Sequence, residues 1–85
     1  MTHAEIVERV RRTLAQSAPN LGAETLAEDA PLGDSGAFDS IALVKTALFL
    51  ESAFDIRVKP ADLSGAPFRS LAAIVRLVES RRAPR

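Results

Sequence analysis

Cysteine, tryptophan and tyrosine are all absent from this 85-residue chain, and histidine and methionine occur once each. Without cysteine there are no disulfide staples and no thiolate metal ligands, so the fold must be held by packing. His3 has no second histidine or cysteine to join it, and the acids are scattered without the spacing of a calcium loop or a paired-carboxylate site. No metal site and no paired-carboxylate active site are therefore expected. Apolar runs stay well short of the roughly 18 residues of a membrane span. The start, Met1-Thr2-His3-Ala4-Glu5, has neither the basic segment nor the apolar stretch of a signal peptide. The expectation is a cytoplasmic protein with no membrane partner. Eleven basic and eleven acidic side chains cancel, which removes the electrostatic reason to expect nucleic acid.

What is present is an ordinary globular composition, 47% apolar and 26% charged. At this length it fits one domain over residues 1–85, with a core over about 4–80 and a basic tail at 81–85. The charges are unevenly placed. Glu24, Glu28, Asp29, Asp34 and Asp39 fall in a stretch without a single base, whereas the end of the chain, Ser80-Arg81-Arg82-Ala83-Pro84-Arg85, is basic. A charge run is either a solvated surface or a means of steering a partner of opposite sign, and composition alone leaves both open.

Periodicity predicts an all-α chain, a small four-helix bundle with three long helices and a short third one. Thr2 followed by Glu5 matches a capping box, and Ile6, Val7, Val10 and Leu14 share a face of a first helix over about 3–17. His3 is expected to be partly packed at a fraying terminus. Pro19, Gly22, Pro31, Gly33 and Gly36 punctuate a long loop that Leu21, Leu26 and Leu32 would pin to the core. Asp39 is a good N-cap for a second helix from Ser40 to about Phe54. Ile56-Arg57-Val58 is extended, Pro60 to Leu63 gives one short turn ended by Ser64-Gly65, and Pro67 blocks its continuation. Ser70 then caps a final helix bearing Leu71, Ile74, Val75 and Val78, which should fray near Ser80.

The second helix carries the candidate site. At about 100° per residue its apolar side chains split into two groups. Leu43, Ala47, Leu50 and Phe54 face the core with Thr46 and Ala53 at the edge; Ile41, Val44 and Leu48 lie with Ser40, Lys45, Glu51 and Ser52. An apolar stripe flanked by charges reads as a partner-docking surface, unless the other helices cover it. Ser40 lies in the first turn, where unpaired N–H groups and the positive end of the helix dipole favour an attached phosphate. A second Asp-Ser pair, in Gly33-Asp34-Ser35-Gly36, resembles the nucleophile region of trypsin-like proteases. Such chemistry needs a positioned base, an orienting carboxylate and an oxyanion hole, which a chain with one terminal histidine cannot assemble. Ser35 is also the poorer attachment site, because Gly36 follows it where a helix should begin.

Phe38-Asp39-Ser40-Ile41, the apolar helix behind it and the Leu50-Glu51-x-x-Phe54-x-Ile56 close, followed by Pro60 and an amphipathic last helix, resemble the acyl and peptidyl carrier-protein family over about residues 4–80. The resemblance implies that Ser40 bears a covalent 4'-phosphopantetheine arm, transferred from coenzyme A by a phosphopantetheinyl transferase, and that Asp39 helps that transferase dock. The chain itself would catalyse nothing. It would hold an acyl or aminoacyl cargo as a thioester and present it, as a monomer, to a loading ligase or acyltransferase and to downstream biosynthetic enzymes. Ile41, Val44, Lys45 and Leu48 would contact those partners. Fatty-acid carriers keep this helix acidic, but here Ala42 and Lys45 occupy positions that are acidic in them, leaving Glu51 as its only acid. That departure favours a freestanding carrier of specialised metabolism, polyketide or nonribosomal peptide, or of aminoacyl metabolism. The alternative is an unmodified helical adaptor that docks through the same stripe.

Overall fold

Thr2 sets the start of the first helix. Its hydroxyl accepts from the Glu5 N–H at 3.1 Å while its own N–H donates to Glu5 Oε1 at 2.7 Å, and that backbone hydrogen bond holds the Glu5 carboxyl below its ordinary pKa. The computed structural model describes residues 1–34 and 36–82. Its elements are α1 (His3–Ser17), α2 (Ser40–Phe54) and α3 (Leu71–Arg81), with 3-10 turns at Pro19–Leu21, Pro60–Ser64 and Ala66–Phe68, and no strand among the described residues. It is the small all-helical bundle expected.

The expected short third helix is the 3-10 turn Pro60–Ser64. Pro67 does not simply stop it: Ala66–Phe68 forms another 3-10 turn with Pro67 inside its first positions, which need no N–H donor. Ile6, Val10 and Leu14 bury the inner stripe of α1, which packs against both α2 and α3. Leu50 and Phe54 come in from α2, and Leu71, Ile74, Val75 and Val78 from α3. One polar contact crosses this core. Ser17 Oγ and Thr46 Oγ1 lie 2.6 Å apart, both buried, and each also reaches the carbonyl four residues back.

Side chains alone do not hold the long loop. Leu32 is fully buried, with Leu21 and Leu26 half-buried against the core. Arg11 Nη1 also donates to the carbonyls of Ala23 and Leu26, at 2.8 and 2.7 Å, which staples the loop to α1. Further on, Leu32 N donates to Arg69 O, and Ala72 N donates to Glu28 O, both at 2.8 Å. The second bond satisfies an orphan donor in the first turn of α3, and Ser70 Oγ takes the next one, from Ala73.

At the other end α2 closes on Asp55, in the left-handed region at φ 55°, a conformation Asp tolerates better than branched residues. Glu51 Oε2 then accepts from Val58 N at 2.8 Å and fixes the extended segment. The last helix does not fray at Ser80. Arg81 donates to both carboxylate oxygens of Asp62, at 2.8 and 3.0 Å, and to Arg57 O. His3 is exposed rather than partly packed, and its Nδ1 lies 2.6 Å from Glu79 on α3. Arg81 and Arg82 of the basic tail are described; residues 83–85 lie outside the described residues.

The Asp62 carboxyl is held below its ordinary pKa, chiefly by the Arg81 hydrogen bonds and next by the Lys59 N–H. Because the folded pKa lies under the unfolded one, of about 3.9, this stabilisation is complete above the unfolded value. It is lost as the pH falls through the folded one. Chemical denaturation between neutral pH and about pH 3 is therefore expected to show a shallower acid-side loss of stability for Asp62→Asn than for the wild type.

Candidate functional site

Asp39 adopts an extended conformation and its Oδ1 accepts from Ala42 N at 2.9 Å, so α2 begins at the following residue, Ser40. Ser40 is exposed, and its hydroxyl has no hydrogen-bond partner among the described residues. The hydroxyl is thus at the positive end of a 15-residue helix. Ser35, the weaker candidate, lies outside the described residues.

Beside Ser40 opens a cleft of about 620 Å³. Phe38 and Leu43 line it from the α2 side, and Leu63 and Phe68 from the two 3-10 turns. Asp29, Asp34 and Asp39 are around it, with Arg69 among its lining residues. Three of the five acids of the stretch noted in the sequence are therefore gathered at the serine, while Glu24 lines a separate depression with Arg11 and Arg12. None of this cleft is legible from periodicity, because it depends on how the loop crosses the start of α3. Among the described residues no group of three His, Cys, Asp or Glu side chains could hold a metal ion.

The outer face of α2 is uncovered. Ile41 is 66% exposed, Leu48 59% and Val44 47%, against 0% for Leu50 on the opposite side. Lys45 is exposed beside them. Phe49, which the two-stripe reading left unassigned, is 39% exposed and widens the apolar surface beyond Lys45. Its place on the helical wheel, next to Lys45 and away from Leu50, was a usable signal. The structure corrects the sequence reading at four residues of α2. Thr46 is fully buried rather than at the edge, because Ser17 satisfies its hydroxyl, and Ala53 is exposed. Ala42 is buried, so of the two positions that are acidic in fatty-acid carriers only Lys45 lies on the exposed face. Glu51 is half-buried and committed to Val58 N, which leaves it little part in the charge of that face.

A sequence model of the family described as the phosphopantetheine attachment site matches residues 4–78, and the chain belongs to that family. Domains of this family carry covalently attached 4'-phosphopantetheine, and in general they are non-catalytic, are modified by a phosphopantetheinyl transferase and interact with biosynthetic enzymes. No curated protein shows significant sequence similarity to the chain. Among the described residues no helix is long and apolar enough to cross a membrane.

The two sides of α2 should separate in a mutational test. Leu50→Ala, at a site with no exposure, is expected to lower stability by about 2–5 kcal/mol. Leu48→Ala, on the open face, should lower it by no more than about 0.5–1 kcal/mol in urea denaturation. Equal losses would mean that the outer stripe is core.

Proposed function

We propose that Ser40 is the attachment residue and that the chain is a single carrier domain of about residues 4–80. The observation that carries this reading is an exposed serine with an unpartnered hydroxyl, capped by Asp39 at the first position of α2, in a chain of the phosphopantetheine family. These residues suit the group: the hydroxyl is open to solvent, the cleft leaves room beside it, and the helix start favours a phosphate. When attached, the arm supplies a thiol that holds cargo as a thioester. Asp39 keeps the first turn formed and is a contact for the transferase. Ile41, Val44, Lys45 and Leu48, with Phe49, form the surface that partner enzymes bury, where a few apolar anchors dominate the binding energy.

The proposed setting is a monomeric cytoplasmic carrier of acyl or aminoacyl cargo in specialised or aminoacyl metabolism rather than in fatty-acid synthesis. Lys45 supports it, since an outer face whose central charge is positive is a poor match for enzymes that recognise an acidic helix. A loading ligase or acyltransferase would supply the cargo.

Intact-mass measurement after incubation with coenzyme A and a broad-specificity phosphopantetheinyl transferase is expected to show one phosphopantetheine added. Ser40→Ala should abolish the addition and Ser35→Ala should retain it. An unmodified wild type, under conditions that convert a control carrier, would favour a helical adaptor that docks through the open face of α2.

The second expectation concerns ionic strength. Raising it to physiological values shortens the Debye length to about 8 Å. With Lys45 at the centre of an apolar face, cognate loading should slow less than for an acidic carrier with its own enzyme. A steep dependence removed by Asp34→Asn would show that the acids around Ser40 steer the encounter.

A further inference from the structure

We propose that Arg69 is a positioning residue for the arm, pairing with its phosphodiester once Ser40 is modified; the inference rests on the attachment reading above. Arg69 lines the same cleft as Ser40 and, among the described residues, is the one basic residue that does so. Its backbone is held at both ends, the carbonyl by Leu32 N at 2.8 Å and the N–H by Ala66 O at 3.2 Å, so the side chain leaves from a fixed point. Arg69 is exposed, and its side chain makes no hydrogen bond or ion pair among the described residues. The contrast with Arg11 and Arg81 is informative, because both of those are engaged in holding the fold.

Charge complementarity supplies the occupant. Asp29, Asp34 and Asp39 already place three carboxylates around this cleft against a single cation. A phosphodiester on Ser40 adds a further negative charge at its rim, and the Arg69 fork offers paired donors that match phosphate oxygens. Arg69 also borders a shallow depression on its other side, with Ala73, Arg76 and Leu77. Because Arg69 lines both depressions, modification of Ser40 would bias its guanidinium toward the cleft. Arg69 would then restrain the arm near its point of attachment.

The test compares apo and holo forms of the wild type, Arg69→Gln, Arg69→Lys and Arg76→Gln by urea denaturation at low salt, with intact mass confirming each conversion. Conversion to the holo form should raise the folding constant of the wild type by about two- to fivefold relative to its effect on Arg69→Gln, the range of an exposed ion pair. Arg69→Lys should keep part of the gain, and Arg76→Gln should match the wild type. The phosphorus NMR resonance of the holo protein should also differ between wild type and Arg69→Gln. Full conversion of every protein with identical apo-to-holo differences and an unchanged phosphorus resonance would overturn the role of Arg69 while leaving attachment at Ser40 intact. Failure of the wild type to take the group at all would overturn the attachment reading and this inference with it.

Discussion

Burial of the α1 stripe organises the molecule. Ile6, Val10 and Leu14 are in contact with a core drawn from both other helices, and α1 packs on each of them. In a chain without cysteine this apolar contact carries the stability that small domains otherwise draw from crosslinks. It also divides α2 into two sides. The side turned to α1 and to the Pro60–Ser64 turn is buried, and the other is left exposed among the described residues. The exposed apolar face of α2 falls beside Ser40 because Asp39 fixes where the helix begins.

Charge and apolar surface are separated around the serine. The carboxylates of Asp29, Asp34 and Asp39 gather in the cleft on the loop side, whereas the outer face of α2 has Lys45 among aliphatic and aromatic side chains. A partner approaching the helix meets a different surface from one that works at the serine and loop. On the proposed reading of Ser40 and the α2 face, the enzyme that modifies the serine and those that handle the cargo would meet surfaces of different character.

Much of this was legible in the sequence where a local signal existed. Thr2, Asp39 and Ser70 each mark a helix start through a side-chain oxygen that must satisfy a free N–H, and all three do so. Leu32 and Leu50 declared themselves as core by spacing and size. Contacts made at long sequence distance gave no such signal. Arg11 looks like a surface residue of an amphipathic helix until its loop carbonyls are placed, and Glu51 looks like free charge until Val58 is placed. Ala42 is ambiguous for a different reason: a methyl group suits either side of a helix, and only the approach of α1 decides. The cleft belongs with these tertiary features, since it is built from the loop, the start of α2 and two 3-10 turns.

The hydroxyl pair in the core has a consequence for aim. Ser17 and Thr46 share one short hydrogen bond, and each lies in reach of a carbonyl in its own helix; with one proton apiece, one hydroxyl donates to the other, which in turn donates to its own helix's carbonyl. Rotating α2 about its axis, or sliding it by a turn, would leave two buried oxygens without that partner, a penalty that aliphatic packing alone does not impose. The pair therefore acts as an azimuthal key: it fixes which way α2 is turned on α1, and with it the compass direction in which Ser40 and the Ile41–Leu48 face look out from the molecule.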